Sequence, residues 1–533
     1  MGNSQKALPE GRDFMKEVKV EIRKNTYYDS VTLMLITKEV EKIDGVHEAL
    51  VGMGTELNKE LAQNLKISSA EIEAIGPNDF FITVLADRTL KVERIAEEVD
   101  RLLSQKKKDT GSDYMPPTLN SALKHEPESN IVLISVAGKY AAEEAKKALG
   151  KGLHVMLFSD NVSVEDEKEL KELADEKGLL MMGPDCGTAI INNVPLAFAN
   201  VVKKGNIGIV GASGTGIQEV TVIVDRLGEG ISQAIGTGGR DLNREVGGIM
   251  MLQGIEALKK DPQTKVIVLI SKPPAPEITE KIMKAIEDTT KPVVIDFLGG
   301  DRRSIEGYGI YAGLSLEDTA RKAVALFRGE KTEDFEGFDE PEEKVREIAN
   351  NEIKKLALNQ KYLRALYTGG TLANEAIQIL GNEVGDIYSN ISADPEYRLG
   401  NLTSAQNHIC IDLGEDEFTV GKPHPMIDPS ARAEYLIKEA DNEDVAIVLM
   451  DFVLGYGAHG DPVGVTIPAI LEAKEKMRQK GGYLSVITSI CGTEGDLQSL
   501  RESQQKLKEA EVIVMPSNAQ AVRLANIILG KIK

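Results

Sequence analysis

The chain has no tryptophan, three cysteines and only 5% aromatic residues in 533. Cys186, Cys410 and Cys491 are too few and too scattered for a disulfide framework or a cysteine-built zinc cluster. No apolar run is long enough to cross a bilayer. The opening stretch, Met1 to Arg12, is polar and lacks the apolar segment of a secretory leader. A cytoplasmic location without membrane contact is therefore expected. Positive charge is also in deficit. The net charge of −21 argues against nonspecific attraction to nucleic acid or anionic membrane. An acidic chain that handles anionic substrates must hold them with local backbone dipoles or isolated Arg and Lys. That directs attention to glycine-rich loops at helix starts.

The length exceeds what one core can serve. Val18 to Arg23 alternates apolar and polar residues, as a half-buried strand does. A helical stretch from Ser30 to Ile43, strands at Ala49 to Met53 and Phe80 to Ala86, and a helix from Lys91 to Leu103 complete a small α+β module with a ferredoxin-like rhythm. Lys106 to Asn130 is charged and carries Pro and Ser, and reads as a linker. From Ile131 the chain alternates strand and helix, the signature of a parallel sheet. Strands fall at 131–136, 155–158 and 179–182, the last running into Gly183-Pro184-Asp185-Cys186-Gly187.

Two later stretches repeat each other. Ile207 to Val210 leads into Gly211-Ala212-Ser213-Gly214-Thr215-Gly216, followed by helical spacing at Ile217, Val220, Val224 and Leu227. Leu363 to Tyr367 leads into Thr368-Gly369-Gly370-Thr371, with Ala373, Ala376, Ile377 and Leu380 behind. Glu219 and Glu375 occupy the same place in the two copies. Ile267-Val268-Leu269 then matches Ile447-Val448-Leu449, with about 24 extra residues in the second copy, placed near Asp394 to Asp416. A tandem duplication explains the order; a chance match of two parallel-sheet units is the alternative. Gly329 to Lys355 is a charged linker leading into a surface helix.

A strand that turns through small residues into a helix exposes the helix's free N–H groups, which favour an anion. Gly allows close approach, and Ser or Thr adds a hydroxyl. Ser213, Gly214, Thr215 and Gly216 meet this description, and Gly369, Gly370 and Thr371 meet it again. Neither is a P-loop or a complete dinucleotide fingerprint. The bland reading of each is a tight turn without ligand; two copies favour phosphate or carboxylate.

Gly183 to Gly187, then Gly208 to Thr215, then Asp261-Pro262-Gln263-Thr264 with its strand, resembles the α subunit of succinyl-CoA synthetase over about Asn130 to Arg328. The chain is similar over nearly its whole length to the acyl-CoA synthetase-like FdrA family. That similarity includes the N-terminal module, Gly183 to Thr188, Gly421-Lys422-Pro423-His424-Pro425-Met426-Ile427-Asp428 and Gly455-Tyr456-Gly457-Ala458-His459.

The synthetase pattern is incomplete here. Its CoA-binding domain opens with a strand and a Gly-rich loop, a place taken by the N-terminal module, which argues against CoA binding in the family manner. Its phosphate relay uses a His, yet no His lies between His154 and His408, and Gly299 to Ser304 stands where the Gly-His-Ala stretch is expected. No ATP-grasp portion is recognisable. The FdrA resemblance implies a component, with one or two partner proteins, of the oxamate carbamoyltransferase of anaerobic allantoin breakdown. That enzyme interconverts oxalurate plus phosphate and oxamate plus carbamoyl phosphate.

His424 lies between two prolines, and His459 follows two glycines beyond a central strand, where open α/β sheets bind ligands. With Asp461 nearby, either His suits general acid–base work or a substrate phosphate; an ordinary loop histidine is the alternative. Asp428 or Asp461 with the two His lacks diagnostic metal spacing, and no metal is expected. Asp185, Cys186 and Gly187 are candidates for substrate binding, with Cys186 either a reactive thiol or a buried structural one. Arg240, Arg302 and Arg303 follow Gly-rich stretches and suit an anion clamp, with solvated surface positions as the alternative. Glu219 and Glu375 suit the positive ends of their helices, and Met250-Met251 suits a core.

The expected architecture is α/β: an N-terminal ferredoxin-like α+β module (1–110), a Rossmann-like CoA-binding-type domain (111–200), a first succinyl-CoA synthetase-like, flavodoxin-like domain (201–330), a charged linker and helix (331–355), and a second such domain (356–533). The expected function is the carbamoyltransferase component, with phosphate or carbamoyl phosphate as substrate, no certain cofactor, partner subunits and an oligomeric state. An acyl-CoA ligase completed by a partner chain and a non-catalytic scaffold are the competing readings.

Overall fold

A computed structural model describes residues 16–24, 26, 28–77, 79–107, 116–381, 384–399, 407–419 and 422–532. The leader reading of Met1 to Arg12, and Gly421 of the proline–histidine motif, lie outside the described residues. No described helix is long and apolar enough to cross a membrane. The chain divides into two compact units, the first Met1–His125 with Val420–Pro423, the second the remainder.

In the first unit, strand Phe80–Asp87 lies between Lys16–Arg23 and Val46–Met53, antiparallel to both. Helices Ser30–Glu41 and Val92–Lys107 cover one face. Leu33, Ile36, Val40, Ile95 and Val99 pack there on Val51, Ile82 and Val84. Strand residues alternate faces, so Leu50 and Phe81 point the other way. They pack with Ala62, Ile67 and Ile72 from the segment carrying two short helices. This is the ferredoxin-like arrangement that the alternation in the sequence suggests. Asp29, Thr55 and Ser69 each cap a helix N-terminus through the side chain, the preferred chemistry for that position.

The second unit opens with a small parallel sheet of Ile131–Ile134, His154–Leu157 and Met181–Met182. A seven-stranded sheet follows, in the spatial order Tyr311–Ala312, Val293–Phe297, Val266–Ser271, Lys204–Gly211, Ile231–Gly236, Thr188–Ile191, Val194–Ala197. Its last two strands form an antiparallel hairpin docked through Ala234 opposite Ile190. The larger sheet therefore reaches back past residue 200, through a pairing that sequence periodicity does not reveal. The central strand Val266–Ser271 is buried throughout, as parallel strands covered on both faces are.

A six-stranded parallel sheet carries the second copy, in the order Ile387–Ser389, His408–Asp412, Tyr362–Tyr367, Val445–Val453, Ser485–Cys491, Ile513–Met515. Tyr362–Tyr367 stands where Lys204–Gly211 stands in the first sheet. His408–Asp412 then matches Ile231–Gly236. The extra length of the second copy therefore falls ahead of His408, and includes the added edge strand Ile387–Ser389 and the turn at Pro395–Tyr397.

The two copies share one core. Ile217, Val220 and Val224 of helix Gly214–Arg226 cluster with Leu372, Ala373 and Ala376 of helix Gly370–Gly381. The closing helices of the two copies, Leu316–Arg328 and Asn518–Leu529, join the same cluster through Ala320, Val324, Val522 and Ala525. Polar contacts across this core are reciprocal. Glu219 in the first copy accepts the N–H of Asn518, the first residue of the second closing helix (3.0 Å). Glu375 in the second copy accepts the N–H of Leu316, the first residue of the first closing helix (2.8 Å). Each repeat caps the other's last helix, the exchange of equivalent contacts that a two-fold interface makes. These glutamates thus serve the opposite repeat in addition to sitting near their own helix starts. Burial raises the carboxyl of Glu219 and pushes that of Glu375 up to about 8.

Candidate functional site

The two glycine-rich loops converge. Ser213 caps its own helix by accepting the N–H of Gly216 (3.1 Å). Its hydroxyl also lies 2.6 Å from that of Thr371 at the start of the second helix. The reverse contact is equally close: a methyl group built on Gly369 would sit 2.8 Å from the Thr215 Cγ2 atom. Ser213 and Gly369 are equivalent positions, as are Thr215 and Thr371, so the loops meet about a local two-fold axis. The N–H groups of Gly214 and Thr215, and of Gly370 and Thr371, find no partner among the described residues, and these four residues are half-buried. Two helix N-termini with four unfilled donors and facing hydroxyls suit a tetrahedral anion.

The loops differ in their support. Asp451, at the carboxyl end of its strand, accepts the N–H groups of Thr368 (2.8 Å) and Gly369 (2.9 Å) and the Thr368 hydroxyl (3.0 Å). Arg432 pairs with Asp451 at 3.0 Å, both fully buried. Ser271 occupies the matching position in the first copy. Sequence reasoning missed Asp451 and Arg432; the available signal was a carboxylate interrupting the apolar strand 445–453.

Asp412 is a second missed residue. It ends strand His408–Asp412, and its Oδ1 accepts the N–H of Gly414 (2.8 Å). Its Oδ2 faces Gly370, where a built methyl group would approach to 2.3 Å. Burial, with Glu415 and Asp451 nearby and Lys272 opposing, pushes its carboxyl up to about 7.

Segment 183–188 reaches the first loop. Thr188 donates its hydroxyl to Phe198 O (2.7 Å), and a methyl on Gly214 would lie 3.3 Å from the Thr188 oxygen. Asp185 opens to solvent with φ 55°. Surrounding protein, with Asp160, Asp416 and Glu415 near and Arg240 opposing, pushes its carboxyl up to about 7. Cys186 turns into the core, 2% exposed, with its thiol near Thr188 O and burial pushing it up to about 12. Arg240 is held by Glu167 (2.9 Å) and by Val162 O (2.8 Å). Glu167 in turn pairs with buried Lys171, which also binds Asp241. Arg302 is paired with Glu306 and Asp334, both at 2.7 Å.

His424 packs its ring on Phe198 (centroids 5.6 Å apart), and its Nδ1 accepts the Met426 N–H at 3.2 Å. A methyl on Gly414 would lie 2.6 Å from its Nε2 and 3.1 Å from Asp412 Oδ1. Burial holds the imidazole down to about 4, so it is neutral near pH 7 with its proton on Nε2. His459 joins the same region through its N–H to Met426 O (2.8 Å), and its Nδ1 accepts the N–H of Asp461 (3.0 Å). Asp461 caps helix Pro462–Gln479 through Gly464 and pairs with Lys506 (2.5 Å). Burial opposes ionisation, but Lys506 and the Gly464 N–H outweigh it and keep the Asp461 carboxyl below its ordinary value. A carboxylate committed this way is a poor proton acceptor. Ser213, Thr215, Gly370, Thr371, Thr188, Asp412 and His424 therefore form one neighbourhood. Arg240 and Asp461 are held by ion pairs, and Cys186 lies in the core.

The chain has an α/β fold of the CoA-ligase kind. Family models match as a CoA binding domain over residues 202–299, as CoA-ligase over 366–528, and as the AllF heavy metal-associated domain over 15–116. The chain belongs to the family of YahF from Escherichia coli K12, to which it is 45% identical over 514 residues, covering 96% of this chain and 99% of that one. It is also 26% identical over 208 residues to the alpha 2 subunit of an ADP-forming succinate–CoA ligase of Archaeoglobus fulgidus, covering 37% of this chain and 71% of that one. Among solved structures, the dinucleotide-forming acetyl-coenzyme A synthetase 1 of Ca. Korarchaeum cryptofilum matches with a TM-score of 0.31 at 16% identity, over 75% of this chain and 82% of that one. Residues 15–116 contain no cysteine. The described residues bring no three His, Cys, Asp or Glu side chains together to hold a metal ion. The donor set does not fit the metal that the first model's name implies.

Proposed function

We propose that the paired loops hold the phosphate of an acyl phosphate, and that the chain is the phosphate-handling component of a carbamoyltransferase interconverting oxalurate plus phosphate and oxamate plus carbamoyl phosphate. The observation that carries this reading is the meeting of Ser213 with Thr371, which brings the starts of the two loop helices together. In the forward direction a phosphate oxygen attacks the carbamoyl carbon of oxalurate, and the C–N bond to oxamate breaks. The phosphate proton ends on the oxamate nitrogen. Backbone N–H groups at a helix start oppose the charge that develops on oxygen. Gly299 to Ser304, which stands where the synthetases' Gly-His-Ala stretch is expected, carries no histidine, and this favours direct attack by phosphate over a phosphohistidine relay. Asp185, Gly187 and His459 are proposed as substrate contacts.

The test is transfer from labelled carbamoyl phosphate to oxamate, without nucleotide or CoA, by the chain alone and with its co-purifying proteins. Labelled oxalurate supports the reading. The second reading is an acyl-CoA ligase completed by a partner chain, favoured by the CoA binding domain and CoA-ligase matches and by the subunit names of the relatives. Turnover that appears only with CoA and nucleotide would select it.

A further inference from the structure

The carboxyl of Asp412 is out of place beside an anion site. The residue is 4% exposed. Oδ1 is satisfied by Gly414, whereas Oδ2 has no hydrogen-bond partner among the described residues. That oxygen is aimed at Gly370, the first residue of the second loop helix, and only a glycine permits the approach. An anion seated on this helix start would meet a carboxylate at contact distance, and two like charges in so confined a place disfavour each other's ionised forms. With a proton on Oδ2 the conflict reverses, because the neutral acid becomes a donor pointing at the ligand.

We propose that Asp412 is the proton-bearing ligand contact of this site: its neutral carboxyl donates a hydrogen bond to a phosphoryl oxygen bound between the two repeats. The inference rests on the phosphate reading of the paired loops and adds the group that sets its pH dependence. Four groups face Asp412: Glu415 on its own loop, Asp451 on the second sheet, Lys272 just beyond strand Val266–Ser271, and His424 across Gly414. The two carboxylates favour the proton and Lys272 opposes it. His424 stays neutral over the working range, since burial holds it down to about 4. The carboxyl itself, pushed up to about 7 chiefly by burial, is poised to carry the proton at neutral pH.

Sulfate is the probe, because it is a tetrahedral dianion whose charge does not change between pH 5.5 and 9. Titration calorimetry on the full chain should show sulfate affinity falling about tenfold per pH unit above the carboxyl's pKa, the slope for one coupled proton. In Asp412→Asn the amide still donates and Oδ1 still accepts Gly414, so affinity should persist and the slope should vanish. An unchanged slope in Asp412→Asn, or a flat profile in the wild-type chain, overturns the proposal while leaving the anion site standing. If wild-type chain binds no sulfate at any pH, the anion site falls and the proposal falls with it. Should the variant fail to fold, wild-type titrations at pH 8 in two buffers of different ionisation enthalpy decide: uptake of about one proton per sulfate is expected, and none overturns the proposal.

Discussion

Ser213 and Thr371, far apart in sequence, place their hydroxyls 2.6 Å from each other at the starts of two helices. Each belongs to a different repeat, and the contact makes one composite loop pair from two weak motifs. Removing one hydroxyl removes a donor that a phosphate would use. Thr371→Val and Thr215→Val should each weaken phosphate binding about tenfold, the ~1.5 kcal/mol of a hydrogen bond to a charged group. Calorimetry at fixed salt checks this, with melting temperatures reporting an intact fold. Undiminished affinity in both variants removes the basis for the phosphate site.

Gly370 and Gly381 open and close the same helix yet should respond oppositely to alanine. Alanine is favoured over glycine within helices by about 1 kcal/mol. At Gly381 nothing lies within 4 Å of the added methyl, so the substitution should be neutral or stabilising. At Gly370 the methyl would press to 2.3 Å on Asp412 Oδ2, and overpacking costs about 1–3 kcal/mol. Urea denaturation should show a lower midpoint for Gly370→Ala and an equal or higher one for Gly381→Ala.

Glu375 makes stability depend on pH. Burial pushes its carboxyl from 4.5 to about 8, so between those values the native state holds a proton that the unfolded chain has released. The stabilisation is complete below the unfolded value and is lost as pH rises through about 8. Asp412, pushed up to about 7, acts in the same sense. Denaturation midpoints should therefore fall from pH 5.5 to pH 8.5, and less steeply in Glu375→Gln. An identical fall in that variant would assign the effect elsewhere.

The three thiols should be silent in the folded protein. Cys186, Cys410 and Cys491 are buried, and burial raises each thiol above its ordinary range. Since the thiolate is the reactive form, iodoacetamide at pH 8 should leave all three unmodified in the native chain and alkylate all three after denaturation, read by intact mass. Modification of native Cys186 would return it to the list of reactive residues.

Much of this was legible in the residue order. The alternation in Val18 to Arg23, the strand–glycine–helix sequence at Ser213 and again at Gly369, and the paired glutamates all rest on local spacing, which fixes which face a residue occupies. The hairpin Thr188–Ala197 was not legible, because its place in the sheet depends on one antiparallel pairing, Ala234 with Ile190. Asp451 and Asp412 escaped for a related reason. Each looks like a strand-end carboxylate until its partners, Thr368 and Gly370, are brought beside it.

A duplicated α/β chain with two potential anion loops is readable from residue order alone, since strand, turn and helix preferences are written within a few residues of one another. The meeting of the two loops, the capping of each repeat by the other's glutamate (Glu219 or Glu375), and the engagement of Asp461 with a helix cap and Lys506 emerge only in three dimensions. Those outcomes join residues from different repeats or different helices. They follow from the way apolar helix faces bury against one another in the shared core, which local spacing does not encode.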